Sequence, residues 1–246
     1  MRYLVLSDIH SNWEALEAVV QDAAGRYEQA LCCGDLVGYG ADPNRVSEWA
    51  REHCAVVVRG NHDKASTGLE DPEWFNPVAR AAALWTQDTL TPENREYIRA
   101  LARGPVELDG FQLLHGAPFD EDEYVFALNE AEQAFGYLER RLAFFGHTHM
   151  QGGFIWSRTR IETLPRVPAR STRQVAEIDP QCGYLVNPGS VGQPRDGDPR
   201  AGYALYDSEA QLLSWCRVSY DVESARKKIL EAGLPPILAD RLPMGR

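Results

Sequence analysis

Three short apolar runs, at 3–6, 30–33 and 55–58, each stop at a polar segment rich in chemistry: Ser7-Asp8-Ile9-His10, Gly34-Asp35 and Arg59-Gly60-Asn61-His62-Asp63. An unbroken apolar run lacks the alternation of a half-solvated strand and suits one buried on both faces. Helical signals separate the runs. Ser11 with Glu14 reads as a capping box ahead of Trp13, Leu16, Val19, Val20 and Ala23 on one face, and Gly25 falls where a C-terminal cap is wanted. Asp42-Pro43 offers an N-cap and a first-turn proline to a second helix carrying Val46 and Trp49. Three βα units in succession predict an α/β fold with parallel strands. Ligands of such sheets gather outside the carboxyl ends of the strands, so motifs distant in sequence are expected to converge there.

Further on, Asn76-Pro77 and Thr91-Pro92 start two helices, and 106–114 reads as a hairpin turning at Asp109-Gly110, with His115 at its exit. Asn129 and Glu132 are expected to cap a helix containing Ala134, Phe135 and Leu138. An apolar run at 142–145 then ends in Gly146-His147-Thr148-His149. Beyond it the chain changes character: 154–156, 160–164, 175–178, 184–187, 203–206 and 212–218 are short strand candidates, mostly antiparallel. Asp221 caps a last helix that runs to Gly233, before a break at Pro235-Pro236. With 246 residues, no internal repeat and no persuasive linker, one domain spanning 1–246 is expected.

Five of the six histidines, His10, His62, His115, His147 and His149, sit where an apolar run gives way to polar or glycine-containing sequence; only His53 does not. Carboxylate, imidazole and amide donors without thiolate form a ligand set for two divalent cations. Asp35 follows a glycine that lets the chain turn sharply and is the candidate bridging ligand. Asp8 and His10 would hold one ion, and Asn61 would lend a neutral oxygen to the other, keeping net positive charge for an anionic substrate. The net charge of −11 disfavours nucleic acid and anionic membranes as partners over most of the surface. Five cysteines without Cys-x-x-Cys spacing read as reduced thiols. The N-terminal apolar stretch is too short for a signal peptide, and no segment approaches membrane-spanning length, so a cytoplasmic location is expected.

The ordered set of Asp-x-His, Gly-Asp, Gly-Asn-His-Asp, His-Gly and Gly-His-x-His resembles the calcineurin-like metallophosphoesterase superfamily. The later Asn187-Pro188-Gly189-Ser190-Val191-Gly192-Gln193-Pro194-Arg195 resembles its compact bacterial and archaeal branch, which includes small phosphodiesterases. The resemblance implies a four-layer α/β/β/α sandwich, two mixed sheets flanked by helices, with a dinuclear metal site at the carboxyl ends of strands. One ion would take Asp8, His10, Asp35 and His149, and the other Asp35, Asn61, His115 and His147. His62 would face the phosphoryl group and protonate, or hydrogen-bond to, the leaving oxygen. The implied reaction is hydrolysis of small phosphate esters, as a phosphodiesterase or phosphatase, by a hydroxide held between two ions of Mn, Fe or Zn.

Two departures from the superfamily matter. The segment from Gly34 to Gly40 lacks the aspartate and arginine of the Ser/Thr protein phosphatases, which argues against that activity, and Asp63 replaces a glutamate. Asp63 is read as an N-cap or ion-pair residue, and Asp120-Glu121-Asp122-Glu123 as a solvated loop. Arg195, in a Pro/Gly-rich loop, is a candidate phosphate clamp as much as a surface turn. Two other functions share the fold: an interaction scaffold like the retromer subunit, and a nuclease of the double-strand-break type. Retention of His62 with a full ligand set argues against the first, and the acidic composition against the second.

Overall fold

The computed structural model describes residues 1–157 and 159–246. The three apolar runs form β1 (Arg2–Leu6), β2 (Gln29–Cys32) and β3 (Cys54–Val57), with β2 in parallel register between the other two. On its other side β1 pairs antiparallel with β11 (Ala201–Asp207), which continues into β12 (Leu212–Val218) and β9 (Arg173–Glu177). A second sheet runs in the order β4 (Val106–Glu107), β5 (Gln112–Leu113), β6 (Leu142–Phe144), β10 (Gly183–Asn187), β7 (Gly152–Ser157) and β8 (Arg160–Thr163). In it β5, β6 and β10 are parallel, and their neighbours are antiparallel.

The apolar runs are explained by where alternate side chains go. From β1, Leu4 and Leu6 pack outward beneath α1 (Trp13–Ala23) and α2 (Pro43–His53), while Tyr3 and Val5 point inward against the second sheet. β2 does the same with Ala30 and Cys32 outward and Leu31 inward, followed by Cys33 just beyond its end, also inward. Both faces are dry, so there is no polar face to alternate with. Leu4, Val5 and Leu6 are fully buried, and each such aliphatic side chain is worth about 1.5–3 kcal/mol of transfer free energy. From the second sheet Phe144, Tyr184 and Val186 close the inner layer, while Ala143 and Leu185 meet α6 (Leu128–Phe135) on the outside. The result is the expected sandwich of helix, sheet, sheet and helix.

Local expectations shifted where tertiary contacts outbid local signals. The N-cap of α1 is Asn12, whose Oδ1 accepts from Ala15 N at 3.1 Å; Ser11 is drawn away because its N–H donates to Leu36 O. Asp42 makes no cap bond with its side chain and pairs with Lys228 at 2.7 Å. α6 begins at Leu128, with the Glu130 carboxylate accepting from Ala127 N at 2.9 Å, so Asn129 lies inside the helix. The antiparallel strands of the second half divide between the two sheets. Helices α4 (Pro77–Thr89) and α5 (Pro92–Arg99) start at their expected caps, Asn76 and Thr91. Two helices escaped the sequence reading: α3 (Asn61–Thr67), and α8 (Pro236–Arg241), which follows α7 (Val222–Glu231). α3 has no apolar stripe to read, and α8 is short and opens on a proline that looks like a break. No helix among the described residues is long and apolar enough to cross a membrane.

Candidate metal centre

Every motif lands at the same end of the two sheets. Asp8 and His10 follow β1, Asp35 follows β2, and Asn61 and His62 open α3 just after β3; His115 follows β5, and His147 and His149 follow β6. Ligand atoms of Asp8, His10, Asp35 and His149 lie within 4.8 Å of one another, as do those of Asp35, His115 and His147. Asp35 belongs to both groups. Its Oδ1 accepts the backbone N–H of His62 at 2.9 Å, while its Oδ2 is buried without a hydrogen-bond partner, 3.5 Å from His10 Nε2 and 3.6 Å from His115 Nε2. A buried carboxylate oxygen left orphaned among imidazole nitrogens fits a cation-binding position. Asn61 Oδ1 stands 3.2 Å from His115 Nε2, beside the second group.

Backbone carbonyls fix the imidazoles. Nδ1 of His10, His115 and His149 faces the carbonyl oxygens of Val37, Cys33 and Gln193 at 3.0, 2.8 and 2.7 Å. Each carbonyl can only accept, so Nδ1 carries the proton and Nε2 presents its lone pair inward. His147 is reversed: its Nε2 faces Asp122 O at 3.0 Å, which leaves Nδ1 as the atom available to a cation. Burial pushes the Asp8 carboxyl up to about 7 and holds Asp35 well above the usual range, with the charge of Asp63 adding to the latter. Burial also keeps His10, His62, His147 and His149 well below the usual imidazole value, reinforced by His62, Arg195, His115 and Arg195 respectively. Neutral imidazoles are the form that ligates, and an acid holding a proton yields it to a cation.

The backbone is bent to make this shell. Asp8, His10, Asp35, His147 and His149 all take positive φ, from 48° to 65°. Such a conformation costs about 1–3 kcal/mol per non-glycine residue and persists where the surroundings over-determine it. Gly60 and Gly146 permit the close approach: a Cβ on the first would strike the Asp35 carboxylate, and one on the second would overlap Ser7 Oγ. Asp63 joins two of the loops, its carboxylate accepting from the N–H groups of Gly60, Asp35 and Val37 at 2.9, 2.9 and 3.2 Å. It has the capping duty expected of it.

His62 is buried beside this shell and outside both groups of ligand atoms, its Nδ1 without a partner and its ring 4.9 Å from that of His10. Tyr39 and Phe75 pack on it at 4.3 and 4.7 Å. Arg195 reaches the same wall: Nη2 donates to Tyr39 Oη at 3.3 Å and to Gln193 Oε1 at 3.0 Å. The other charges of its loop are consumed structurally, Asp196 by buried Arg217 and Asp198 by Arg200.

The 120–123 segment corrects the expectation of a solvated loop. Glu121 is 8% exposed and bound by Arg59 through Nε and Nη2 at 3.0 and 2.7 Å, with Lys64 Nζ at 3.4 Å. Asp122 pairs with Lys64 while its carbonyl holds His147. Tyr124 stacks on the His147 ring at 3.8 Å. Sequence reasoning gave no role to Tyr39, Phe75 and Tyr124; the one usable signal was Tyr39, a large ring set between two glycines. His53 is a half-exposed helix end.

Two sheets that deliver this donor set to one end make the architecture of a metallophosphoesterase. The chain belongs to the calcineurin-like phosphoesterase superfamily, whose domain profile matches residues 1–211. It is 35% identical over 254 residues to an uncharacterised protein of Methanocaldococcus jannaschii, covering 98% of this chain and 97% of that protein. Among solved structures it is similar to a metallophosphoesterase from Sphaerobacter thermophilus, with 37% identity, a TM-score of 0.86 and 100% and 99% of the two chains covered. A hypothetical protein from Pyrococcus horikoshii OT3 shares the fold, with 22% identity, a TM-score of 0.76 and coverage of 100% and 98%.

Proposed function

We propose that this chain hydrolyses small phosphate esters, as a phosphodiesterase or phosphatase, with two divalent ions that share Asp35. The observation that carries the reading is the unpartnered Asp35 Oδ2 between His10 and His115. One ion is assigned to Asp8, His10, Asp35 and His149, the other to Asp35, Asn61, His115 and His147. Manganese, iron or zinc suits these donors better than magnesium alone. When bound, such ions supply an activated water for in-line attack and neutralise charge on the phosphoryl oxygens.

The chain's own residues do the rest. Burial and the charge of Arg195 keep His62 unprotonated, so it acts as a neutral imidazole that donates an N–H to the departing oxygen. Arg195 orients the phosphoryl group from the Tyr39 side by its forked donors. The reduced thiols of Cys32, Cys33, Cys54 and Cys216 and the net charge of −11 suit a small soluble substrate in a reducing, cytoplasmic setting, away from membranes and nucleic acid.

The test is metal-stripped protein assayed on bis-p-nitrophenyl phosphate before and after Mn²⁺ is returned. Activity is expected only after return, with two ions bound per chain, and Asp35→Asn should lower occupancy of both positions together. Full turnover after verified chelation overturns the reading.

A further inference from the structure

A short column of rings leads away from the candidate metal centre. Tyr124 stacks on the His147 imidazole, centroids 3.8 Å apart and planes 15° apart, and Phe126 stacks on Tyr124 at 5.0 Å and 15°. Val125 between them is buried, whereas both rings stay open to solvent, Tyr124 39% and Phe126 54% exposed. Single exposed apolar side chains need no explanation. These two are different, because Phe126 lines a cleft of about 390 Å³, within the size range of small-ligand sites.

The cleft adjoins the candidate centre. Thr148, the residue between the candidate ligands His147 and His149, is part of its lining, and Met150 follows directly. Buried Phe145 and Phe154 supply apolar depth, and Leu164 closes it from beyond β8. Its polar groups are donors. The Thr148 hydroxyl accepts from Asn187 Nδ2 at 3.0 Å and still has its own proton to give. Exposed Arg166 also lines the cleft, and among the described residues its guanidinium has no partner.

We infer that this cleft is a nucleobase subsite, and that the substrates are nucleotide esters whose base lies against Phe126 while the phosphate meets the candidate metal centre. The inference rests on the proposed hydrolysis. A flat ligand is called for because the column ends in an aromatic ring with an exposed face, which stacks on any base. Acceptors on the ligand's edge are called for by the donors of Arg166 and Thr148, and every nucleobase carries such acceptors. From His147 to Phe126 are two ring spacings, and a nucleotide joins its base to its phosphate through a single sugar. A plain aryl group would use the ring face and leave the donors idle, and an aliphatic chain would use neither.

Two measurements on the full chain with Mn²⁺ test this. In the first, three compounds that share a nitrophenolate leaving group are compared: the p-nitrophenyl ester of thymidine 5′-monophosphate, p-nitrophenyl phenylphosphonate and methyl p-nitrophenyl phosphate. The thymidine ester should exceed the methyl ester in kcat/KM by at least about 10-fold, and that ratio should fall about 5- to 100-fold in Phe126→Ala, the range for losing one base–aromatic stack. Arg166→Met should cut the advantage of thymidine over phenylphosphonate by about 10-fold, as loss of a charged hydrogen bond does. In the second, thymidine 5′-monophosphate and methyl phosphate are titrated by calorimetry, and the nucleotide should bind more tightly in the wild type and lose that preference in Phe126→Ala. Equal kcat/KM on the thymidine and methyl esters, or a ratio unaltered in Phe126→Ala, overturns the subsite and leaves hydrolysis standing. Phenylphosphonate used as well as the thymidine ester overturns the nucleobase as occupant. If the wild type cleaves none of the three yet prefers the nucleotide in calorimetry, hydrolysis fails as a reading and the subsite stands. Should Phe126→Ala fold poorly, Phe126→Leu, which keeps apolar bulk without the flat ring, decides by the same ratios.

Discussion

Asp63 shows how much one side chain can organise without touching substrate. Its carboxylate accepts three backbone N–H groups from the Asp35 loop and the start of α3. An amide oxygen at that position could accept, but its NH₂ would face donors. Asp63→Asn should therefore cost about 2–4 kcal/mol of stability, for buried donors left unpaired, and weaken metal binding about 10–100-fold, as loss of an orienting partner does. Urea unfolding and Mn²⁺ titration check both; a variant of wild-type stability that loses metal only would make Asp63 an electrostatic partner instead. His62 is the complementary case, proposed to meet the departing oxygen and standing outside both groups of ligand atoms. His62→Asn should keep both ions and lose about 10²–10⁴-fold in turnover, with a smaller loss for nitrophenolate than for alkoxide leaving groups. Equal losses on both would remove it from the leaving oxygen and assign it to charge stabilisation.

Among the elements, the 120–123 segment supports the candidate metal centre from outside. Burial alone would raise the Glu121 carboxyl, but the Arg59 hydrogen bonds and the Lys64 charge outweigh burial and leave it below the usual range. A depressed carboxyl binds fewer protons in the folded than in the unfolded chain, so its contribution is full above the ordinary value of about 4.3 and is lost as pH falls through the folded value. The difference in melting temperature between wild type and Glu121→Gln should thus be constant near neutrality and close below about pH 4. A gap that persists at pH 3 would mean that packing, not the ion pair, makes the contribution. α3 carries the same lesson for helices: it forms with no apolar period, because Gly60 and Asp63 cap it and the sandwich buries it. Its first residues are Asn61 and His62, so the helix that sequence could not reveal is the one that aims the proposed leaving-group residue.

At the scale of the whole molecule the candidate ligands come from both sheets: Asp8, His10 and Asp35 from the ends of β1 and β2, His115, His147 and His149 from the ends of β5 and β6. Ions held among them would bind the native arrangement and not the unfolded chain, stabilising by RT ln(1 + [L]/Kd), about 2.7 kcal/mol at 100 times Kd. Mn²⁺ should raise the melting temperature of stripped protein by several degrees, and Asp35→Asn should abolish most of the rise; an equal rise in both would place the ions elsewhere. The sequence by itself determined the parallel βα start, the sandwich implied by its motifs, and the donor set, because continuous apolar runs and strand-end ligands are local patterns. It left open which sheet each later strand joins, since short antiparallel strands read alike whichever partner they pair with. It also missed the ordering of the acidic loop by Arg59 and Lys64, and the return of α8 to Tyr39. Those contacts join residues far apart in the chain, through charges and rings whose local surroundings look like ordinary surface, and only the packed structure brings them together.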